Sequence, residues 1–120
     1  MKEKNIKLLD CTLRDGGYYN NWDFDRDLVG IYLKAIDQAA IDVVEIGFRS
    51  LPKQSFVGPY LYSLDDYLET LPLPAKALIG VMINANEYLK SSEKPEVITR
   101  KLFQPAGLSP VGLVRIAINF

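Results

Sequence analysis

Four short apolar runs, each separated from the next by a segment of helical spacing, constrain this chain more than any other feature. The runs are residues 6–11, 42–48, 76–83 and 112–118. Each is strand-sized and rich in Val, Ile, Leu and Phe. After Asp25, a capping residue, apolar side chains recur at Leu28, Val29, Tyr32, Leu33, Ile36, Ala39 and Ala40, which is one stripe of a helix. Ser63 and Asp66 have capping-box spacing, with Asp replacing the usual Glu or Gln, ahead of a short helix marked by Leu64, Tyr67, Leu68 and Leu71. A third helix is predicted over residues 93–103, with Pro95 accommodated in its first turn. Loops are expected at 16–24 and 49–62, and a loop with a helical turn at 84–92. Strict alternation of strands and helices implies parallel strands joined by right-handed crossovers.

Side-chain parity sharpens the architecture. One face of the last three strands carries Val44, Ile46 and Phe48, then Ile79, Val81 and Ile83, then Val114, Ile116 and Ile118. That face suits a layer of helices. The other face carries Glu45 and Gly47, Gly80 and Met82, and Arg115 and Ala117, and on the first strand Asp10, Thr12 and Arg14 share one parity. A sheet covered by helices on both sides would make its second face apolar as well. The interior of a closed barrel accepts a few paired polar groups near its active end. The pattern therefore favours a (β/α)8 TIM barrel over a doubly wound sheet. Four strands and three helices are half of such a barrel, whose full size is about 250 residues. Residues 1–120 are thus expected to be the N-terminal part of a single catalytic domain.

Composition excludes several classes. Net charge is -1 with 14 basic and 15 acidic residues, which gives no footprint for nucleic acid or an anionic membrane surface. No apolar run approaches the ~20 residues of a membrane span, and the first residues lack the core of a signal peptide. A single cysteine, Cys11, is expected to be a buried strand residue and suits a reducing cytoplasmic location. Histidine, the commonest metal ligand and general base, does not occur.

Chemistry concentrates where the first strand ends, in Asp10-Cys11-Thr12-Leu13-Arg14-Asp15-Gly16-Gly17. Arginine beside aspartate on turn-forming glycines places a permanent cation next to a hard oxygen donor. A metal-assisted site for carbonyl chemistry needs both, the carboxylate to hold the ion and the cation to face a developing oxyanion. Arg49, Asn84, Asn86 and Asn119 follow the other strands at the same end. Glu45, in mid-strand, must be paired; Arg14 and Arg115 are its candidate partners. The plain alternative is that Arg14 is only that structural partner, with Asp15 opening a turn. Tyr18, Tyr19, Asn20, Asn21 and Trp22 form an aromatic loop suited to a ligand lid, an oligomer interface or simple packing.

With Val43-Val44-Glu45-Ile46-Gly47-Phe48 and Val114-Arg115-Ile116-Ala117, the Asp10–Gly17 motif resembles the metal-dependent lyase superfamily of TIM barrels. That group includes HMG-CoA lyase, 4-hydroxy-2-oxovalerate aldolase and the isopropylmalate and homocitrate synthases. The resemblance is nearest the 4-hydroxy-2-oxovalerate aldolase-like branch and marks a divergent member. It implies an enzyme that makes or breaks a carbon–carbon bond beside a carbonyl, releasing pyruvate and an aldehyde from a 4-hydroxy-2-keto acid. Arg14 would stabilise the enolate, Asp15 would bind Mn2+ or Mg2+, and Glu45 would match a second-strand glutamate of several members. Further metal ligands would be a His-x-His pair late in the barrel. Tyr18 stands where that aldolase carries a catalytic histidine, and joins Arg14 and Glu45 as a candidate for the catalytic machinery. A homo-oligomer is implied for the whole protein. An acyl-CoA synthase of the same superfamily, or a barrel kept only as a binding module, are the alternatives.

Overall fold

The computed structural model describes residues 6–119. Its elements run β1 (Leu9–Asp10), α1 (Thr12–Gly16), α2 (Arg26–Gln38), β2 (Val43–Phe48), α3 (Asp65–Leu68), β3 (Leu78–Asn84), α4 (Ala85–Leu89), α5 (Pro95–Leu102) and β4 (Val111–Ala117). Short 3-10 turns lie at Gly17–Tyr19, Pro59–Leu61 and Ala106–Leu108. The strands form one sheet in the order β1-β2-β3-β4, and every neighbouring pair is parallel.

Local chemistry explains the largest helix. Asp25 accepts from the backbone N–H of Asp27 and of Leu28 at 2.9 and 3.1 Å, supplying two of the partners a helix N-terminus lacks. Ala40, at φ 54°, takes the left-handed conformation that ends α2. Val29, Leu33 and Ile36 on its inner stripe are buried in one cluster with Val44, Ile46, Ile79 and Val81 of the sheet. Each such side chain contributes about 1.5–3 kcal/mol by leaving water. Among the described residues no helix is long and apolar enough to cross a membrane.

The structure corrects several sequence expectations. The first strand is two residues rather than residues 6–11, and Arg14 and Asp15 stand on the helical turn α1 instead of continuing a strand parity. Asp10 does not face the site side: it is in register with Val44, on the helix side, and accepts from the Tyr32 hydroxyl of α2. Burial raises its carboxyl, but the bonds from Tyr32 and the Thr12 N–H outweigh that and hold it below the ordinary range. Cys11 is half-buried and precedes α1. The capping box does not form. Ser63 sits at φ 43° and donates to the Tyr60 carbonyl at 3.0 Å, while Leu64 occupies the cap position of α3 without a side-chain bond.

The most consequential correction is at Phe48. Between Glu45 and Gly47 the register of β2 against β3 shifts by one residue, leaving Ile46 as a bulge. One extra residue reverses the parity of everything after it. Phe48 therefore pairs with Met82 and joins Glu45 on the site side, whereas Gly47 turns to the helix side. A Cβ on Gly47 would come within 2.0 Å of the Tyr60 carbonyl oxygen, so only glycine admits the Pro59–Leu61 turn there.

Val114 and Ile116, expected to face helices, are 40% and 57% exposed on β4. They are in register with Val81 and Ile83, so they continue the helix-facing row of the sheet. No described helix lies over that part of the row.

Candidate active site

Glu45 is the centre of the site. Its carboxylate is fully buried on β2 and accepts from both sides, from Arg14 on α1 beyond the neighbouring strand β1 and from Arg115 on β4, two strands away. Arg14 Nε donates to Oε1 at 2.8 Å. Arg115 donates through Nε to Oε2 at 2.5 Å and through Nη2 to Oε1 at 2.8 Å, a bidentate fork. Arg115, in register with Met82 of β3, reaches across that strand to Glu45. Burial raises the Glu45 carboxyl; the hydrogen bonds from Arg115 and Arg14 outweigh it and hold the group below the usual carboxylate range. The same contacts raise Arg115. Both partners anticipated for Glu45 thus bind it at once.

Arg14 is fixed from three directions. Its Nε is on Glu45, its guanidinium lies 5.8 Å from the Phe48 ring centroid, and its carbonyl accepts from Trp22 Nε1 at 2.9 Å. The Phe48 contact exists because of the bulge at Ile46. Nη1 stands 3.6 Å from Asp15, and Nη2 has no protein partner among the described residues. A guanidinium held this way presents its outer nitrogens in one orientation, which is what an oxyanion forming beside it requires.

The loop that carries Trp22 is built at some conformational expense. Asn21 and Trp22 both have φ of 57°, and for a bulky residue this is a true outlier. Such strain costs about 1–3 kcal/mol and persists only where surrounding contacts fix it. Here Gly58 N–H donates to the Asn21 carbonyl at 2.7 Å, and the Trp22 ring packs edge to face on Tyr18 and Phe48 at 4.8 and 5.7 Å. A Cβ on Gly17 would lie 1.9 Å from the Trp22 ring. Gly17→Ala is therefore expected to push the indole off the Arg14 carbonyl and to cost about 1–3 kcal/mol by overpacking. Trp22 is the only tryptophan, so its emission reports this directly. An unchanged emission maximum and denaturation midpoint would show that the loop absorbs the methyl group and does not hold Arg14.

Asp15 touches this cluster only through Arg14 Nη1; its side chain is 71% exposed and shares a surface hollow with Asp10, Cys11 and Thr12. An exposed carboxylate with no short hydrogen bond is suitable donor chemistry for one ligand of Mn2+ or Mg2+. Among the described residues no three His, Cys, Asp or Glu side chains gather into a larger set. Tyr18 is 63% exposed, and its ring contacts are with Trp22 and Phe48.

Arg49, one of the strand-end residues, does not face the site. It is fully buried and donates to Asp65 Oδ1 at 2.8 Å, to the Ser63 carbonyl and to the Leu102 carbonyl at 3.1 Å, with its guanidinium 4.7 Å from the Phe103 ring centroid. It ties the end of β2 to α3 and α5. Its Nε is the one buried side-chain polar atom without a partner among the described residues. Asn84 caps α4 by accepting from Asn86 N–H at 3.2 Å. Glu87 and Tyr88 of that helix hold the loop after β2, through Leu51 N–H and the Arg49 carbonyl. Burial and the nearby Glu87 carboxylate push the Tyr88 phenol up to about 12, so it remains a donor at any ordinary pH.

No family model matches the chain. Among curated proteins it is similar to the 4-hydroxy-2-oxohexanoate aldolase of Mycobacterium tuberculosis, at 27% identity over 66 aligned residues, covering 44% of this chain and 19% of that one. The same figures hold for 4-hydroxy-2-oxovalerate aldolase 1 of Mycobacterium sp. strain KMS. The chain thus spans about a fifth of the length of the curated relatives it matches. Among solved structures it is similar to a crystal structure described as the N-terminal domain of a protein provisionally called an aldolase, from Bacteroides vulgatus. That likeness has a TM-score of 0.79 and 37% identity and covers 94% of this chain and 36% of the other. The fold of four parallel strands with interleaved helices is therefore shared with an aldolase-type N-terminal domain, and the sequence is distantly homologous to 4-hydroxy-2-oxo acid aldolases.

Proposed function

We propose that this chain is the N-terminal part of a TIM-barrel aldolase that cleaves 4-hydroxy-2-keto acids to pyruvate and an aldehyde with the help of a divalent metal. The observation that carries the reading is Arg14: a guanidinium immobilised by a buried glutamate, with Nη2 unpartnered among the described residues and an exposed carboxylate next to it in sequence. Homology to 4-hydroxy-2-oxo acid aldolases supports the reaction class. The helix-side row of β4, with Val114 and Ile116 exposed, supports further β/α units packing there to complete a barrel.

In this reaction the C3–C4 bond of the substrate breaks. Its electron pair becomes the enolate of pyruvate, which takes a proton from water at C3; the 4-hydroxyl proton leaves to water, and C4 becomes the aldehyde carbon. Arg14 faces the enolate oxygen, where its hydrogen bond strengthens as charge develops. Glu45 is a positioning residue: it sets the Arg14 fork without reaching the substrate from mid-strand. Asp15 would supply one anionic ligand to a divalent metal, which when bound would supply Lewis-acid polarisation of a carbonyl. Tyr18, exposed beside Trp22 and Phe48, orders the water that receives the hydroxyl proton. The whole protein is a cytoplasmic homo-oligomer in this proposal, acting on a small keto acid and not on nucleic acid or membrane.

Asp15→Asn tests the metal assignment. It removes one anionic oxygen with almost no change in volume. In the full-length protein we expect weaker Mn2+ binding by calorimetry, about tenfold or more for the loss of a first-coordination carboxylate, together with loss of pyruvate release. A folded variant that binds Mn2+ as the parent does would remove Asp15 from the metal site.

A further inference from the structure

The Phe48 ring that lies by Arg14 also walls a cavity of about 340 Å3 at the C-terminal ends of β2 and β3. Sites for small molecules have this size. Its lining has two distinct kinds of surface. Tyr18, Trp22 and Phe48, with Val57 and Leu61, supply a mainly aromatic apolar wall, and Ser50, Ser55 and Asn84 supply neutral polar groups. The two serine hydroxyls have no partner among the described residues, and Asn84 uses only its carbonyl oxygen, on Asn86 N–H, so its amide donors are available. The one cation in the lining, Lys53, is matched by Glu87 at 2.7 Å, and the other Glu87 oxygen accepts from Leu51 N–H at 2.5 Å. The cavity therefore has no uncompensated charge that would select an anion.

Neutral donors and acceptors facing aromatic rings are the complement of a hydroxylated carbon chain. Its C–H edges lie on the rings and its hydroxyls bond to the serines and the asparagine. An alkyl chain would strip water from the same polar groups and return no bond. We propose that this cavity takes the part of the keto acid beyond carbon 4, and that this tail carries hydroxyl groups. The inference rests on the aldolase reading above and narrows its substrate: the aldehyde released is a short hydroxyaldehyde rather than an alkyl one. Bond changes are those of the cleavage already given, with no oxidant or reductant.

The test compares two keto acids of equal length on the full-length protein loaded with Mn2+: 4-hydroxy-2-ketohexanoate, with an alkyl tail, and 4,5,6-trihydroxy-2-ketohexanoate. Binding is read from Trp22, the only tryptophan in these 120 residues, after any tryptophan elsewhere in the full-length protein is replaced by phenylalanine. Turnover is read separately as pyruvate release. A site built to bond hydroxyls rejects analogues lacking them strongly, so we expect the trihydroxy acid to bind at least about tenfold more tightly and to have the higher kcat/KM. Ser50→Ala should erode that preference by roughly fivefold, the scale of one neutral hydrogen bond. Equal or tighter binding of the alkyl acid overturns the proposal while leaving the aldolase reading in place. Turnover of either acid with no response from Trp22 also overturns it. Preferential binding of the trihydroxy acid without pyruvate release supports the cavity assignment and fails the aldolase reading instead.

Discussion

Replacing Glu45 by glutamine is expected to remove about 3–5 kcal/mol of stability, the usual consequence of breaking a buried ion pair from one side. The variant keeps the shape of the side chain and leaves Arg14 and Arg115 without their shared anion. Arg115 is 41% exposed and recovers part of its hydration, which places the loss at the lower end of that range. The effect should depend on pH in a defined direction. The folded carboxyl is held below its unfolded value of about 4.3. Its contribution is therefore complete above the unfolded value and is lost as pH falls through the folded one. Denaturant midpoints of parent and variant should differ most near neutrality and converge in acid below that window. A gap of the same size at neutral and acid pH would mean that packing, not charge, is what glutamine disturbs.

The elements that sequence alone located are those set by periodicity. Strand and helix alternation, the Asp25 cap and the helix-facing apolar rows on β3 and β4 all follow from spacing. Glu45 was equally legible, because a carboxylate in mid-strand must find cations and few were at hand. What spacing does not encode is a one-residue shift in pairing. The bulge at Ile46 costs nothing in composition, yet it moves Phe48 from the helix layer to the Arg14 site. Asp10 is a similar case. With the first strand only two residues long, its side is decided by register with Val44 and by the Tyr32 hydroxyl, neither of which is a local property.

The Trp22 loop was visible as an aromatic segment but not as a support for Arg14. Two consecutive left-handed residues without glycine have no sequence signature; Gly17 and Gly58, which the ring and backbone of Trp22 crowd, were the available signal. Arg49 misled for a related reason. Its place after a strand is shared with residues that face the site, and only the fold shows that Asp65 and two carbonyls claim it.

Arg14→Lys separates the two roles that this arginine could have. The parent side chain does two things at once: Nε holds Glu45 at 2.8 Å, and the outer nitrogens face away from that bond. Lysine has one nitrogen. It can keep the ion pair with Glu45 or approach a substrate oxygen, but it cannot do both, and it has no planar fork to fix its direction. Because the pair with Glu45 can survive, stability should change little, and Trp22 emission should stay at its parent value. Loss of a positioned oxyanion donor costs about 10²–10³ in rate, or roughly 3–4 kcal/mol of transition-state stabilisation. That loss should fall on kcat for pyruvate release from a 4-hydroxy-2-keto acid, with Mn2+ affinity held, because the contact matters most when the enolate charge is present. A folded lysine variant with parental kcat would reduce Arg14 to a structural partner of Glu45. A variant that fails to fold would lead to the same conclusion by another route, since the ion pair would then be the only function of the arginine that the substitution exposed.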